Sequence, residues 1–199
     1  MNEARSNTIT FEKGAAIEFA FAAILPGKEA QLFGEYFPKV GPIVADWGGR
    51  SLGSGSVEES VFDEGQPSML AIFHWDSVQA YNNLHGDPRF QKVKPIRDEA
   101  MSFFSNAHFF EVGEKKSVEF KENAQYVLAI EWEKSSQVSD LADDALVFFS
   151  GVKSGEGKPF GATVFQSSPA VAEAVSNIGN KPSKSLSYFK FKFNFPSKG

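Results

Sequence analysis

Apolar and small or polar positions alternate from Ala16 to Ile24. Ile17, Phe19, Phe21 and Ala23 fall on one face and Glu18, Ala20 and Ala22 on the other, a period of two that predicts a strand. Because both faces are apolar or small, the strand is expected to be covered on both sides, by helices and by a second sheet. The same pattern returns without a gap later in the chain. Phe11 falls on Phe120, Ala15 on Ala124 and Ala20 on Ala129, while Ile17, Phe19 and Phe21 fall on Tyr126, Leu128 and Ile130. Self-similarity of this kind predicts one fold made twice.

The first copy continues with Leu32, Phe33, Tyr36, Phe37, Val40 and Val44 at helical spacing over residues 32–45, where Pro38 and Pro42 predict a break or kink. Gly48 and Gly49 suit a left-handed helix end. A second strand begins near Arg50, and Gly53-Ser54-Gly55-Ser56 predicts that it bends or bulges. A turn at residues 63–65 leads to a third strand over 68–75. Asp76 or Ser77 then caps a helix over 78–84, a further helix is expected over 90–104, and a fourth strand over 106–112. Residues 1–8 are polar and expected to be loose.

Residues 113–116 read as the joint between an N-terminal repeat, 1–113, and a C-terminal one, 114–199. In the second repeat the pattern predicts a strand over 125–133, a helix over 138–149, a connection over 151–158, a strand over 160–167, a helix over 169–178 and a last strand over 184–195. In that strand Phe189, Phe191, Phe193 and Phe195 alternate with Lys190, Lys192 and Asn194. The second copy is shorter, and its loss is expected at its second strand. The fold class is therefore α+β, two βαββαβ repeats packed sheet to sheet.

Composition narrows the chemistry. The chain has 199 residues, 42% of them hydrophobic and 21 of them Phe, ample for a packed core. A formal charge of -5 disfavours nucleic-acid and acidic-membrane partners, which need a basic surface. The absence of cysteine removes thiol catalysis, thiolate metal sites and disulfides. The longest apolar run is too short to span a bilayer and no signal-peptide pattern precedes it, so a cytoplasmic protein is expected. Three scattered histidines show no ligand spacing, so no metal is expected. Gly53-Ser54-Gly55 and Gly157-Lys158 fall short of dinucleotide and phosphate loops. The run Lys158-Pro159-Phe160-Gly161 departs from the aromatic strand motif of RNA-recognition domains.

Three stretches carry a resemblance: Tyr36-Phe37-Pro38-Lys39-Val40-Gly41-Pro42 on to Gly48-Gly49-Arg50; Trp75-Asp76-Ser77; and Asp87-Pro88-Arg89-Phe90-Gln91 on to Lys94-Pro95-Ile96-Arg97. Over residues 17–112 the sequence resembles an uncharacterised branch of the dimeric α/β-barrel superfamily. The resemblance implies ferredoxin-like units whose paired sheets enclose a barrel, here as a fused two-repeat form, in a monomer or a homodimer. It implies strand order 4-1-3-2, with the third strand expected parallel to the first; that places Glu18 about five residues from the level of His74, roughly 16 Å, too far for the two to act as a pair. Members often carry an acidic residue where His74 stands, paired with the arginine of the Gly-Gly-Arg motif. Aligned through Phe90, Leu84 and Lys94 stand where haem-degrading relatives have a tryptophan and the haem-ligating histidine, so haem degradation is disfavoured and no cofactor is expected.

These readings leave a small-molecule site near one end of the first unit. Arg50 is the leading ligand contact, its planar fork suited to a carboxylate or phosphate, although a structural ion pair fits it equally. Tyr36 and Trp47 are expected to line the same pocket, or to be core. His74, buried near an arginine, would be neutral and is the candidate base, against the plainer reading of a hydrogen-bonded core histidine. His85 suits a helix end, and His108 sheet packing. The leading function is binding of an apolar or aromatic molecule with an anionic group. The alternatives are a cofactor-independent monooxygenase or isomerase, and a non-catalytic structural or partner-binding module. The sequence does not decide whether the protein is an enzyme.

Overall fold

The computed structural model describes residues 5–133, 142–152, 159–179 and 186–195. The first repeat contains strands β2 (Ala16–Ile24), β3 (Gly49–Val61), β4 (Met69–Trp75) and β5 (Met101–Glu111), and the second β7 (Gln125–Glu131), β8 (Ala145–Gly151), β9 (Gly161–Gln166) and β10 (Leu186–Phe193). They form a closed barrel in the order β10-β3-β4-β2-β5-β8-β9-β7. Within each repeat the order is 4-1-3-2, and the second strand of each copy pairs with the fourth strand of the other, β3 with β10 and β5 with β8. Every pairing is antiparallel, β2 with β4 included, which corrects the expectation that the third strand runs parallel to the first.

The interior of the barrel is solid. Ile17, Phe19 and Phe21 of β2 and their repeat partners Tyr126, Leu128 and Ile130 of β7 lie in one core with Leu70, Ile72, Phe149, Phe189, Phe191 and Phe193. Phe21 stacks on Phe189 with ring centroids 4.0 Å apart, and Phe149 meets both Phe11 and Phe19 edge to face. Truncating one such ring to Ala costs about 3–5 kcal/mol. One end is plugged by a two-stranded ribbon of β1 (Ser6–Phe11) and β6 (Lys116–Lys121), whose Ile9, Phe11, Val118 and Phe120 join the same core. Residues 6–8, expected to be loose, therefore belong to a strand; residues 1–4 lie outside the described residues.

Helices cover the outer face of the first repeat. A short helix α1 (Glu29–Gln31) runs through a π-helical turn, Leu32–Tyr36, into α2 (Phe37–Asp46). The expected disturbance at the prolines takes this form: Pro38 has no N–H to donate and its ring would crowd the Gly34 carbonyl, and the Phe37 N–H reaches back to the Leu32 carbonyl, one residue further than in an α-helix. Pro42 is carried inside α2. Gly48 ends the helix at φ +72°, as its sequence suggested. Helices α3 (Val78–Gly86), N-capped by the Ser77 side chain, and α4 (Pro88–Asp98), N-capped by Asp87, complete the layer.

Two expectations fail here. The helix expected over 90–104 stops at Asp98, and Met101 to Phe104 begin β5, pairing with Ala22, Ala23 and Ile24. The helix expected over 138–149 is contradicted by β8, which pairs with β9 and β5. The second strand of the second repeat, read as stunted, is this seven-residue strand. Residues 134–141 and 153–158, part of the expected helix and connection, lie outside the described residues. Helix α5 (Pro169–Gly179) matches its expected start. No helix among the described residues is long and apolar enough to cross a membrane.

Candidate functional site

Strand pairing sorts the side chains of β2, β3 and β4 onto two faces of very different bulk. The inward face carries Phe19, Phe21, Leu70 and Ile72. The outward face has Ala20 opposite Ala71 and Ala71 opposite Ser54, so one row across three strands holds only small side chains. The helices cannot sink into that row, because Tyr36, Phe37, Val40, Tyr81 and Leu84 hold them off the sheet. The space left is a cavity of about 570 Å³ bounded by β2, β3, β4, β5 and helices α2, α3 and α4, within the usual size of small-molecule sites. Phe33, 57% exposed, stands on its wall.

Most of the lining is apolar, with Glu18, Tyr36, His85 and Arg97 among its polar groups. Glu18, only 3% exposed, lines the cavity floor and accepts a hydrogen bond from Trp75 Nε1 at 2.8 Å. Tyr36 comes from the π-helical turn and Arg97 from α4, the two meeting above the cavity. Burial pushes the Tyr36 phenol above its usual range, partly opposed by the Arg97 guanidinium beside it, so Tyr36 is an O–H donor at neutral pH. Arg97 is itself buried, bonded to Asp98 at 2.7 Å, with its guanidinium 4.2 Å from the Phe104 ring centroid, where cation–π attraction adds to its fixation. His85 is wedged between Tyr81 and Phe90, and burial, with Arg97 and Lys94 next, keeps its imidazole below the ordinary value.

The four residues expected at the site divide. Tyr36 and Arg50 line the cavity. Arg50 is exposed, borders the cavity only where β3 begins, and lies directly across from His74 in the β3–β4 pairing, so its side chain leaves the sheet on the His74 face, which corrects its expected place as the leading ligand contact; it makes no ion pair among the described residues. It also borders a shallow polar hollow with Thr8, Thr10 and Glu12. His74 is not part of the cavity wall. It lies on the opposite face of β4, buried, with an Nδ1 that has no hydrogen-bond partner among the described residues. Burial first, and the Arg50 charge second, hold its pKa down. Trp47 is also outside the wall: its Nε1 donates to Asp87 Oδ2 at 3.0 Å and ties the end of α2 to the start of α4.

Glu18 stands opposite Phe73, and Ile17 opposite His74. The separation inferred for Glu18 and His74 therefore fails, since they are one register step apart; they point to opposite faces of the sheet and still do not meet. Sequence reasoning missed Glu18 and Arg97 as cavity residues. The available signal for Glu18 was a lone carboxylate on the small-residue face of an apolar strand. His108 lies at the opposite rim with Ser105 and Glu64, its Nε2 3.0 Å from Ser105 Oγ and 3.4 Å from Glu64 Oε1.

Residues 24–112 match the domain of unknown function DUF1330. Among solved structures, an anthrone oxidase-like protein superimposes with a TM-score of 0.54 over 95% of both chains at 14% identity. A mutant chlorite dismutase from Candidatus Nitrospira defluvii is similar over 91% of this chain and 92% of its own, at 9% identity and a TM-score of 0.47. No curated protein matches the sequence. At these identities the likeness concerns the fold alone.

Proposed function

We propose that the cavity between the first sheet and its helices binds an apolar or aromatic molecule bearing an anionic group, with the buried Arg97 guanidinium as the anion contact and Tyr36 on the wall. The observation that carries this reading is the row of Ala20, Ala71 and Ser54 beneath helices that cannot close on it. Large side chains fill the inside of the barrel while small ones leave room outside it. A filled barrel would suit a purely structural module, but that reading leaves the 570 Å³ space and the polar groups on its wall without a role. The proposal extends to membership of an uncharacterised branch of the superfamily, to the division into repeats 1–113 and 114–199, and to a cytoplasmic setting.

Selective binding raises the melting temperature, by an amount that grows with the logarithm of ligand concentration over Kd. A panel of naphthoates, hydroxynaphthoquinones and phenyl keto acids is therefore expected to include members that stabilise the protein, with Arg97→Gln weakening the anionic members about tenfold and neutral analogues far less. Ala71→Phe, which fills the floor, is expected to abolish the response. An unchanged melting temperature across the panel, or undiminished binding to Ala71→Phe, would overturn the reading.

A further inference from the structure

We propose that Glu18 is a general base for a carbon acid, and that the ligand of this cavity is an enolisable ketone whose oxygen faces Tyr36 and Arg97. The inference rests on the reading of the cavity as a small-molecule site and goes further, to a reaction. A carboxylate at 3% exposure on the floor of an apolar cavity is costly unless it is held by donors. Trp75 Nε1 holds one of its oxygens, at 2.8 Å, which fixes the carboxyl plane against the cavity floor. A phenol O–H and a guanidinium stand on the helical side. An acid–base group on one side of a mostly apolar space with hydrogen-bond donors on the other is the arrangement that proton abstraction next to a carbonyl requires.

The step balances without a co-reactant. Glu18 takes the proton from the carbon next to the carbonyl, the C–H pair becomes the C=C bond, and the carbonyl π pair moves onto oxygen. Tyr36 and Arg97 stabilise the resulting enolate. The protonated Glu18 gives a proton back to the same carbon, which then carries solvent hydrogen whenever the carboxyl proton has exchanged with water in between, or to the oxygen, which completes a keto–enol isomerisation. His74, on the far side of the sheet, takes no part.

Phenylpyruvate and 2-tetralone are suitable probes, both aromatic and enolisable, one anionic and one neutral. Exchange of their α-hydrogens in D2O, followed by proton NMR, is expected to run at least about tenfold above buffer with the intact protein. Glu18→Gln keeps an oxygen for Trp75 and is expected to bind the probes within about threefold while exchange falls to the buffer rate, since a positioned base contributes on the order of 10²–10⁴-fold. The acid-side inflection of the pH–rate profile should vanish with it. Tyr36→Phe is expected to slow exchange about tenfold with binding unchanged. Probes that bind and stabilise the protein but exchange no faster than in buffer overturn this inference and leave the binding site standing. So does exchange that survives in a folded Glu18→Gln. Failure of both probes and of the whole aromatic panel to bind overturns both readings.

Discussion

Burial decides the protonation of His74. Its imidazole is enclosed on the inner face of β4 with the Arg50 charge across the strand pair, and both influences favour the neutral ring. The unfolded chain, whose histidines titrate near about 6.5, takes up a proton that the folded protein resists. Stability must therefore rise with pH through that window and be lost as pH falls below it. His85, depressed chiefly by burial, adds to the same trend. Urea midpoints measured at pH 5.5 and pH 8 are expected to differ in favour of the higher pH, and His74→Gln should shrink the difference. An unchanged difference would mean that His74 titrates normally in the folded state.

Among the elements, helix α4 depends on a single capping residue. Asp87 accepts the Arg89 backbone N–H at 2.7 Å and the Trp47 indole N–H at 3.0 Å, and Arg89 bridges it to Asp46. Hydrogen bonds from Arg89, then Trp47, hold the Asp87 carboxyl far below its ordinary value. The contribution of a depressed carboxyl is fully present above the unfolded pKa of about 3.9 and is lost as pH falls toward the folded value. Asp87→Asn is thus expected to lower the melting temperature at pH 7, with the gap to the parent protein narrowing below about pH 4. A gap independent of pH would assign the loss to packing. Elements with strict alternation, such as β2 and β10, were legible from sequence because one face meets a solid core. The run Ala145-Leu146-Val147-Phe148-Phe149 was not, since an unbroken apolar stretch reads equally as helix or strand until its hydrogen-bond partners on β5 and β9 are known. The cavity was hidden for a related reason: Ala20, Ala71 and Ser54 are unremarkable alone and become a floor only through register. Tyr36 was legible as a wall residue because a tyrosine on an apolar helix face carries its own chemical signal; the face of Arg50 follows only from its pairing with His74, and Glu18 was set aside through an incorrect strand direction.

For the whole molecule, closure depends on the seams where β3 meets β10 and β5 meets β8. Under the proposed division, a fragment of residues 1–113 would expose both β3 and β5 as unpaired edges, which readily recruit another strand. Such a fragment is expected to self-associate, pairing β3 of one copy with β5 of the next, and sedimentation should report a dimer or larger species. A soluble monomeric fragment would count against two equivalent units.

In a barrel built from two identical subunits, symmetry obliges both outer faces to carry the same groups. Here the alignment of the repeats sets Val127 where the first copy has Glu18, and that residue packs with Phe165, Val171 and Tyr188 against α5. Joining the halves in one polypeptide lifts that obligation, so the outer face of one half can close over an apolar cluster while that of the other keeps a buried carboxylate.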